Sequence, residues 1–149
     1  MKKTTKNCRR SGCPVSFTLD FLGDKWTLLI VRDILFKGMK YYGEFLNAGE
    51  GMATNILADR LEKLEHAGIL KWKTDPAHQG KAIYSLTEKG LDLLPMLLEM
   101  ILWGAKYDPQ TEAPPDFIKR VQTNRGLEIQ KIRRNLKESK PEKKERSNK

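Results

Sequence analysis

The clearest pattern of apolar and polar positions lies at residues 54–67, TNILADRLEKLEHA. There Leu57, Leu61 and Leu64 fall at i, i+4 and i+7 and predict a helix with one buried stripe. Its other surface carries Thr54, Asn55, Ala58 and Asp59, with Arg60 and Lys63 on the flank. Gly68 predicts the stop, because glycine leaves the right-handed helical conformation without a side-chain penalty. At 69–73 the period changes to the alternation ILKWK, as in a half-exposed strand. Asp75, Pro76 and Gly80 are turn residues, and AIYSL at 82–86 is the returning strand of a hairpin. A helix feeding a strand in this way is the core of a winged helix-turn-helix, with the hairpin as its wing.

Upstream, Cys13-Pro14 suits a helix start, and 15–22 makes two turns before Gly23-Asp24 break them. Residues 25–36, KWTLLIVRDILF, place Trp26, Leu29, Ile30 and Ile34 on one side and predict a strongly buried helix that Gly38 ends. Residues 41–46 predict a short helix with Tyr42, Phe45 and Leu46 inward. The Asn47–Gly51 turn then leads into 54–67, a short helix, glycine-containing turn and longer helix in helix-turn-helix order.

Downstream, Thr87 is placed to cap the next helix, with Leu86 before it as a hydrophobic staple. Residues 88–107 predict one long helix that is apolar almost all round, more than the core of one small domain should cover. The expectation is therefore a dimer interface built from Leu91, Leu94, Leu98, Ile101 and Leu102, joined by Val15 and Phe17 of the first helix. Burial within a single larger core is the competing reading. The prolines of 108–115 read as a linker. Residues 116–140 have loosely helical apolar spacing among cations, and 141–149 are almost wholly charged. The fold class expected is mainly α with a small β-hairpin. It divides into a flexible basic arm at 1–12, a domain at 13–107 that includes the dimerisation helix, and a basic extension at 108–149, partly helical or disordered.

Charge changes the picture less than the net +9 suggests. Residues 1–116 hold 16 Lys+Arg against 15 Asp+Glu, and residues 117–149 hold 12 against 4, so the body is nearly neutral and the basicity belongs to the extension. Basic pI alone is therefore a weak argument for nucleic-acid binding, since a basic tail is often a solvated appendage. The N-terminus lacks the apolar stretch of a secretory signal, and the longest apolar run is too short to span a bilayer, so a cytoplasmic setting without membrane contact is expected. Cys8 and Cys13 with His66 and His78 lack the spacing of a metal site. No Ser-His-Asp, HExxH, Walker or paired-carboxylate arrangement occurs. Neither an enzyme nor a cofactor is expected.

Cys13-Pro14-Val15, Leu19-Asp20 and the run from Leu22 to Asp33, LGDKWTLLIVRD, resemble the N-terminal signature of the HxlR-type transcriptional regulators. The similarity continues through Gly38, Tyr42-Gly43-Glu44-Phe45, Gly51, Leu57, Arg60-Leu61, Leu64-Glu65, Gly68-Ile69-Leu70, Tyr84-Ser85-Leu86-Thr87, Gly90 and Trp103-Gly104. This resemblance implies a winged helix-turn-helix homodimer on double-stranded DNA, with a pseudo-palindromic operator and subunits paired through the first and long C-terminal helices. It also implies response to an electrophile or oxidant, or to a small effector, with Cys13 as the redox-sensing thiol. A small buried hydrophobe is the other reading of that cysteine. The chain departs from the family at Met52-Ala53, where Ile-Ser is common and the serine cap is lost. It departs again at Gly38-Met39-Lys40-Tyr41, with fewer cations, and at His78-Gln79-Gly80-Lys81 in place of a proline-rich wing.

Reading a duplex needs a helix N-terminus in the major groove and groups that reach base edges. Asn55 can pair with adenine, Thr54 can meet a base or phosphate, and Asp59 can accept from cytosine or instead pair with Lys63. Lys25, Lys40, Arg60 and Lys63 suit phosphates, and His78 and Lys81 suit the backbone or minor groove from the wing. Arg60 has a second reading, as a bridge between helices. A winged helix that docks on a protein and does not read DNA is the alternative function, favoured by the neutral body and by Asp59, Glu62 and Glu65.

Overall fold

The computed structural model describes residues 11–78 and 80–139. The basic arm up to residue 10, Cys8 and the charged stretch from residue 140 lie outside the described residues.

The order is α1 (Pro14–Leu22), α2 (Lys25–Lys37), α3 (Tyr42–Leu46), α4 (Thr54–His66), β1 (Leu70–Thr74), β2 (Ala82–Leu86), α5 (Glu88–Leu91), α6 (Leu94–Tyr107), α7 (Pro115–Thr123) and α8 (Arg125–Glu138). Each element has a local cause. Asp24 caps α2, its carboxylate accepting from the Trp26 and Thr27 amides at 3.0 and 3.1 Å, and Gly38 ends that helix at φ +64°. The Glu44 carboxylate reaches back to the Lys40 and Tyr41 amides at 2.7 and 2.9 Å and closes the start of α3. At the end of α4 the Ile69 amide donates to the Leu64 carbonyl and the Gly68 amide to that of Glu65. This is the paired closure that a left-handed residue (Gly68, φ +71°) permits. The hairpin is antiparallel, Leu70 facing Leu86 and Trp72 facing Tyr84.

The core sits where α2, α4 and α6 converge: Ile30, Val31, Leu57, Leu94 and Leu98 have no exposed surface. The Thr87 amide donates to the Ile69 carbonyl at 3.0 Å, and its hydroxyl accepts from the Gly90 amide, so the wing's base and the start of α5 are one joint.

Two expectations are corrected. Residues 88–107 are two helices, because Pro95 has no N–H to donate and its ring would clash with the carbonyl four residues back. The chain turns at Asp92-Leu93, and the proline falls in the first turn of α6, where it is tolerated. Leu91, Leu94 and Leu98 are buried in the chain's own core rather than on a surface open to a second copy. Ile101 and Leu102 are half-buried, while Val15 and Phe17 are exposed. The apolar surface that α6 offers outward is instead Met100, Trp103 and Tyr107, Trp103 being 69% exposed.

Part of the extra cover comes from beyond residue 108. In α7, Val121 is buried, and Phe117 meets Phe36 of α2 edge to face at 6.0 Å. From α8, Ile129, Ile132 and Leu136 pack on the same core, and Arg133 pairs with Glu88 at 3.0 Å and Asp92 at 2.6 Å. Through residue 138 the extension is packed structure rather than a solvated tail.

Candidate nucleic-acid interface

The three buried leucines of α4 fix its orientation and leave Thr54, Asn55, Ala58 and Lys63 exposed on the far side. Its N-terminus has no side-chain cap, Ala53 standing at that position. Two contacts hold it instead: Met52 is buried just before the helix, and the Tyr42 hydroxyl donates to the Thr54 carbonyl at 2.8 Å. The first turn's amides therefore face outward without a competing side-chain acceptor, as phosphate binding at a helix start needs.

Arg60 takes the bridging role. Its Nε donates to Asp24 Oδ1 at 2.9 Å, tying α4 to the N-terminus of α2, and the guanidinium also contacts Asp59. Burial pushes the Asp24 carboxyl up, but hydrogen bonds from Thr27 and Arg60 outweigh it and hold the group below its ordinary value. Asp59 is paired with Lys63 at 3.0 Å, and the Lys63 ammonium, with Arg60, keeps its carboxyl below the usual range. The Asp59 carboxylate is thus ionised and neutralised locally, which removes much of its repulsion towards phosphates. The Lys25 ammonium lies 4.3 Å from the Trp26 ring centre, and that of Lys40 5.7 Å from the Tyr41 ring.

The wing is anchored by a cluster whose significance its sequence concealed. Asp75, read as a turn residue, is buried, and its carboxylate accepts from the Tyr41 hydroxyl at 2.6 Å and the Ala77 amide at 2.9 Å. His78 Nδ1 lies 2.8 Å from the same carboxylate. The Tyr84 amide donates to the Lys40 carbonyl at 2.8 Å, so the loop before α3 and strand β2 move together. His78 and Lys81 remain exposed at the wing, while Tyr41 and Asp75 set where that wing stands. Neither was legible as functional, because each gains its meaning from a partner 34 residues away.

A pH effect follows. The Tyr41 hydroxyl, the Ala77 amide and His78 hold the Asp75 carboxyl down at about 2 against an ordinary 3.8. A depressed carboxyl stabilises the fold above its unfolded-state value, and that stabilisation disappears as pH falls through the folded-state value. The clamp should therefore loosen between these two values, and Tyr41→Phe should move the midpoint upward. An NMR titration of the Asp75 carboxyl in both proteins checks this, and an unchanged midpoint in Tyr41→Phe refutes it.

Cys13 is exposed at the N-cap of α1, which excludes the buried reading of that residue. Among the described residues no group of three or more His, Cys, Asp or Glu side chains is placed to hold a metal ion. None of the helices there is long and apolar enough to cross a membrane.

Comparison with known proteins agrees with this geometry. The family model described as HxlR-like helix-turn-helix matches residues 21–112. The uncharacterized HTH-type transcriptional regulator sll1512 of Synechocystis sp. is 36% identical over 95 residues, covering 64% of this chain and 70% of the relative. Among solved structures, PA1607 superposes with a TM-score of 0.64 at 37% identity, over 71% of this chain and 74% of that one. The reduced form of the redox regulator HypR superposes with a TM-score of 0.58 at 34% identity, over 65% and 95%. The signature residues, the winged helix-turn-helix they build and the match over 21–112 converge: the chain belongs to the HxlR-like helix-turn-helix family.

Proposed function

We propose that this protein is a sequence-specific, DNA-binding transcriptional regulator that acts in the cytoplasm as a homodimer, with no catalytic role. The observation that carries the reading is the exposed Thr54–Asn55–Ala58 surface, on a helix locked by three buried leucines and the Arg60–Asp24 bridge. Rigid placement of a helix end is what base readout requires. Two copies of α4 would enter successive major grooves of a pseudo-palindromic operator, with half-site centres about one helical turn apart. Lys25, Lys40 and Lys63 would meet phosphates, and His78 and Lys81 the adjacent backbone or minor groove. Val15 and Phe17, with the outward surface of α6, would pair the subunits.

Cys13 is the switch in this reading. It stands exposed at a helix start, and a structural neighbour, HypR, is named a redox regulator. Oxidation or alkylation there would alter how the two reading helices are spaced.

Footprinting on the chain's own upstream region tests the proposal. Asn55→Ala should relax specificity at one base pair by about 1–3 kcal/mol. Lys81→Ala should weaken all sequences alike and lower the salt slope by about 1. Repeating the footprint after a mild thiol oxidant should release the wild type and spare Cys13→Ser. Equal release of both proteins ends the thiol switch, and weak, salt-erased binding without a footprint favours a protein-docking module over DNA reading.

A further inference from the structure

Between the wing and the C-terminal extension lies a cavity of about 300 Å³, at the lower end of the range of small-molecule sites. Its floor is apolar, including Ile34, Leu91 and Leu136. One wall is the sheet face where Lys71 pairs with Ser85 and Lys73 with Ile83. Strand alternation reads that face as water-exposed, yet Ile83 is buried there although its neighbours across the ladder are charged, and Leu136 and Lys137 of α8 line the same cavity. Lys40, Lys71, Lys73 and Lys137 all border the cavity, and no described lining residue carries a negative charge. An apolar floor under four cations with no counter-charge matches one chemistry, a compact apolar body bearing an anionic group.

We propose that this cavity binds a small amphipathic carboxylate, with its apolar body against Ile34, Leu91 and Leu136 and its carboxylate among Lys71, Lys73 and their neighbours. A neutral apolar molecule would offer these cations no counter-charge, and the described lining supplies none. The stretch after residue 139, KPEKKERSNK, has no apolar side chain for the floor and carries the same sign of charge as the rim. The site depends on α8, which lies beyond residue 112, where the family match ends. It is thus a property of this chain's extension rather than of the winged helix alone. Occupation would press β1 and β2 against α8 and bias the wing. That regulatory consequence rests on the DNA-reading proposal, whereas the binding itself does not.

The test is calorimetric titration of the full chain, without DNA, using 2-naphthoate and its uncharged isostere 2-naphthamide. The carboxylate should bind saturably and raise the melting temperature, and the amide should bind at least about tenfold more weakly. Lys71→Gln with Lys73→Gln, both at exposed strand positions, should weaken the carboxylate by about tenfold and leave the amide unchanged. Ser85→Trp, with its fold verified by circular dichroism, should block both. Should that variant not fold, the lysine variant decides. No saturable binding to the folded protein, equal affinity for acid and amide, or indifference to the lysine substitutions would each overturn the assignment. A titration without DNA that succeeds while footprinting fails would leave the ligand site standing and remove only DNA reading.

Discussion

Replacing Met100 and Trp103 together by glutamate is expected to yield a folded monomer whose affinity for a two-half-site operator falls by about 10²–10⁴. The fold should survive because α6 is anchored by Leu94, Leu97 and Leu98 on its inner side, while Met100 and Trp103 are 48% and 69% exposed. A charge on an already exposed side chain costs little in the single chain, yet it is prohibitive once a second copy covers that surface. The affinity loss would have a separate cause: in the proposed homodimer each reading helix alone would make half of the contacts, and joining two on one duplex would turn the second binding step into an intramolecular one. Sedimentation would read the assembly state, and gel shifts on full and half operators would read the affinity. A variant that stays dimeric, or a monomer that keeps full-operator affinity, would refute the pairing surface assigned to α6.

Gly90→Ala should destabilise the fold by about 1–3 kcal/mol or more, lowering the melting temperature by roughly 2–4 °C for each kcal/mol. A Cβ at this position would lie 2.3 Å from the Ile69 carbonyl oxygen and 2.9 Å from Leu86 Cδ2. The side chain of Leu86 can adjust, but the carbonyl cannot, since it already accepts from the Thr87 amide at 3.0 Å at the base of the wing. Relief therefore requires α5 to separate from the β1 entry, which opens the joint between wing and core. Gly43→Ala is the control. Nothing lies within 4 Å of its Cβ, and a helical alanine is favoured over glycine by about 0.5–1 kcal/mol, so its melting temperature should hold or rise. Equal thermal denaturation of the two variants would mean the close approach at Gly90 carries no energetic weight.

How much of this was legible from the chain alone differs element by element. The leucine stripe of α4, the positive-φ stop at Gly68, the Asp24 break, the Thr87 cap and the alternation of the hairpin are local matters. A few neighbouring residues contain the whole cause, and the structure places each where its pattern indicates, except that in the hairpin Trp72 is half exposed and Ile83 is buried opposite Lys73. Pro95 was legible in principle, because its steric conflict is local too, but the unbroken apolar run around it outweighed the signal.

What the sequence by itself determined, then, is the elements from α1 to β2, their order and the family to which they belong. Tertiary structure alone decided which apolar surface of α6 is core and which is open, because periodicity reports that a surface is apolar and never what covers it. It decided likewise that α7 and α8 close over the core and that Arg60 serves Asp24. The wing's position, too, hangs on Tyr41 and Asp75. Those outcomes depend on groups tens of residues apart meeting at hydrogen-bonding distance, and a charge or a hydroxyl acquires its role only from the partner that the fold brings to it.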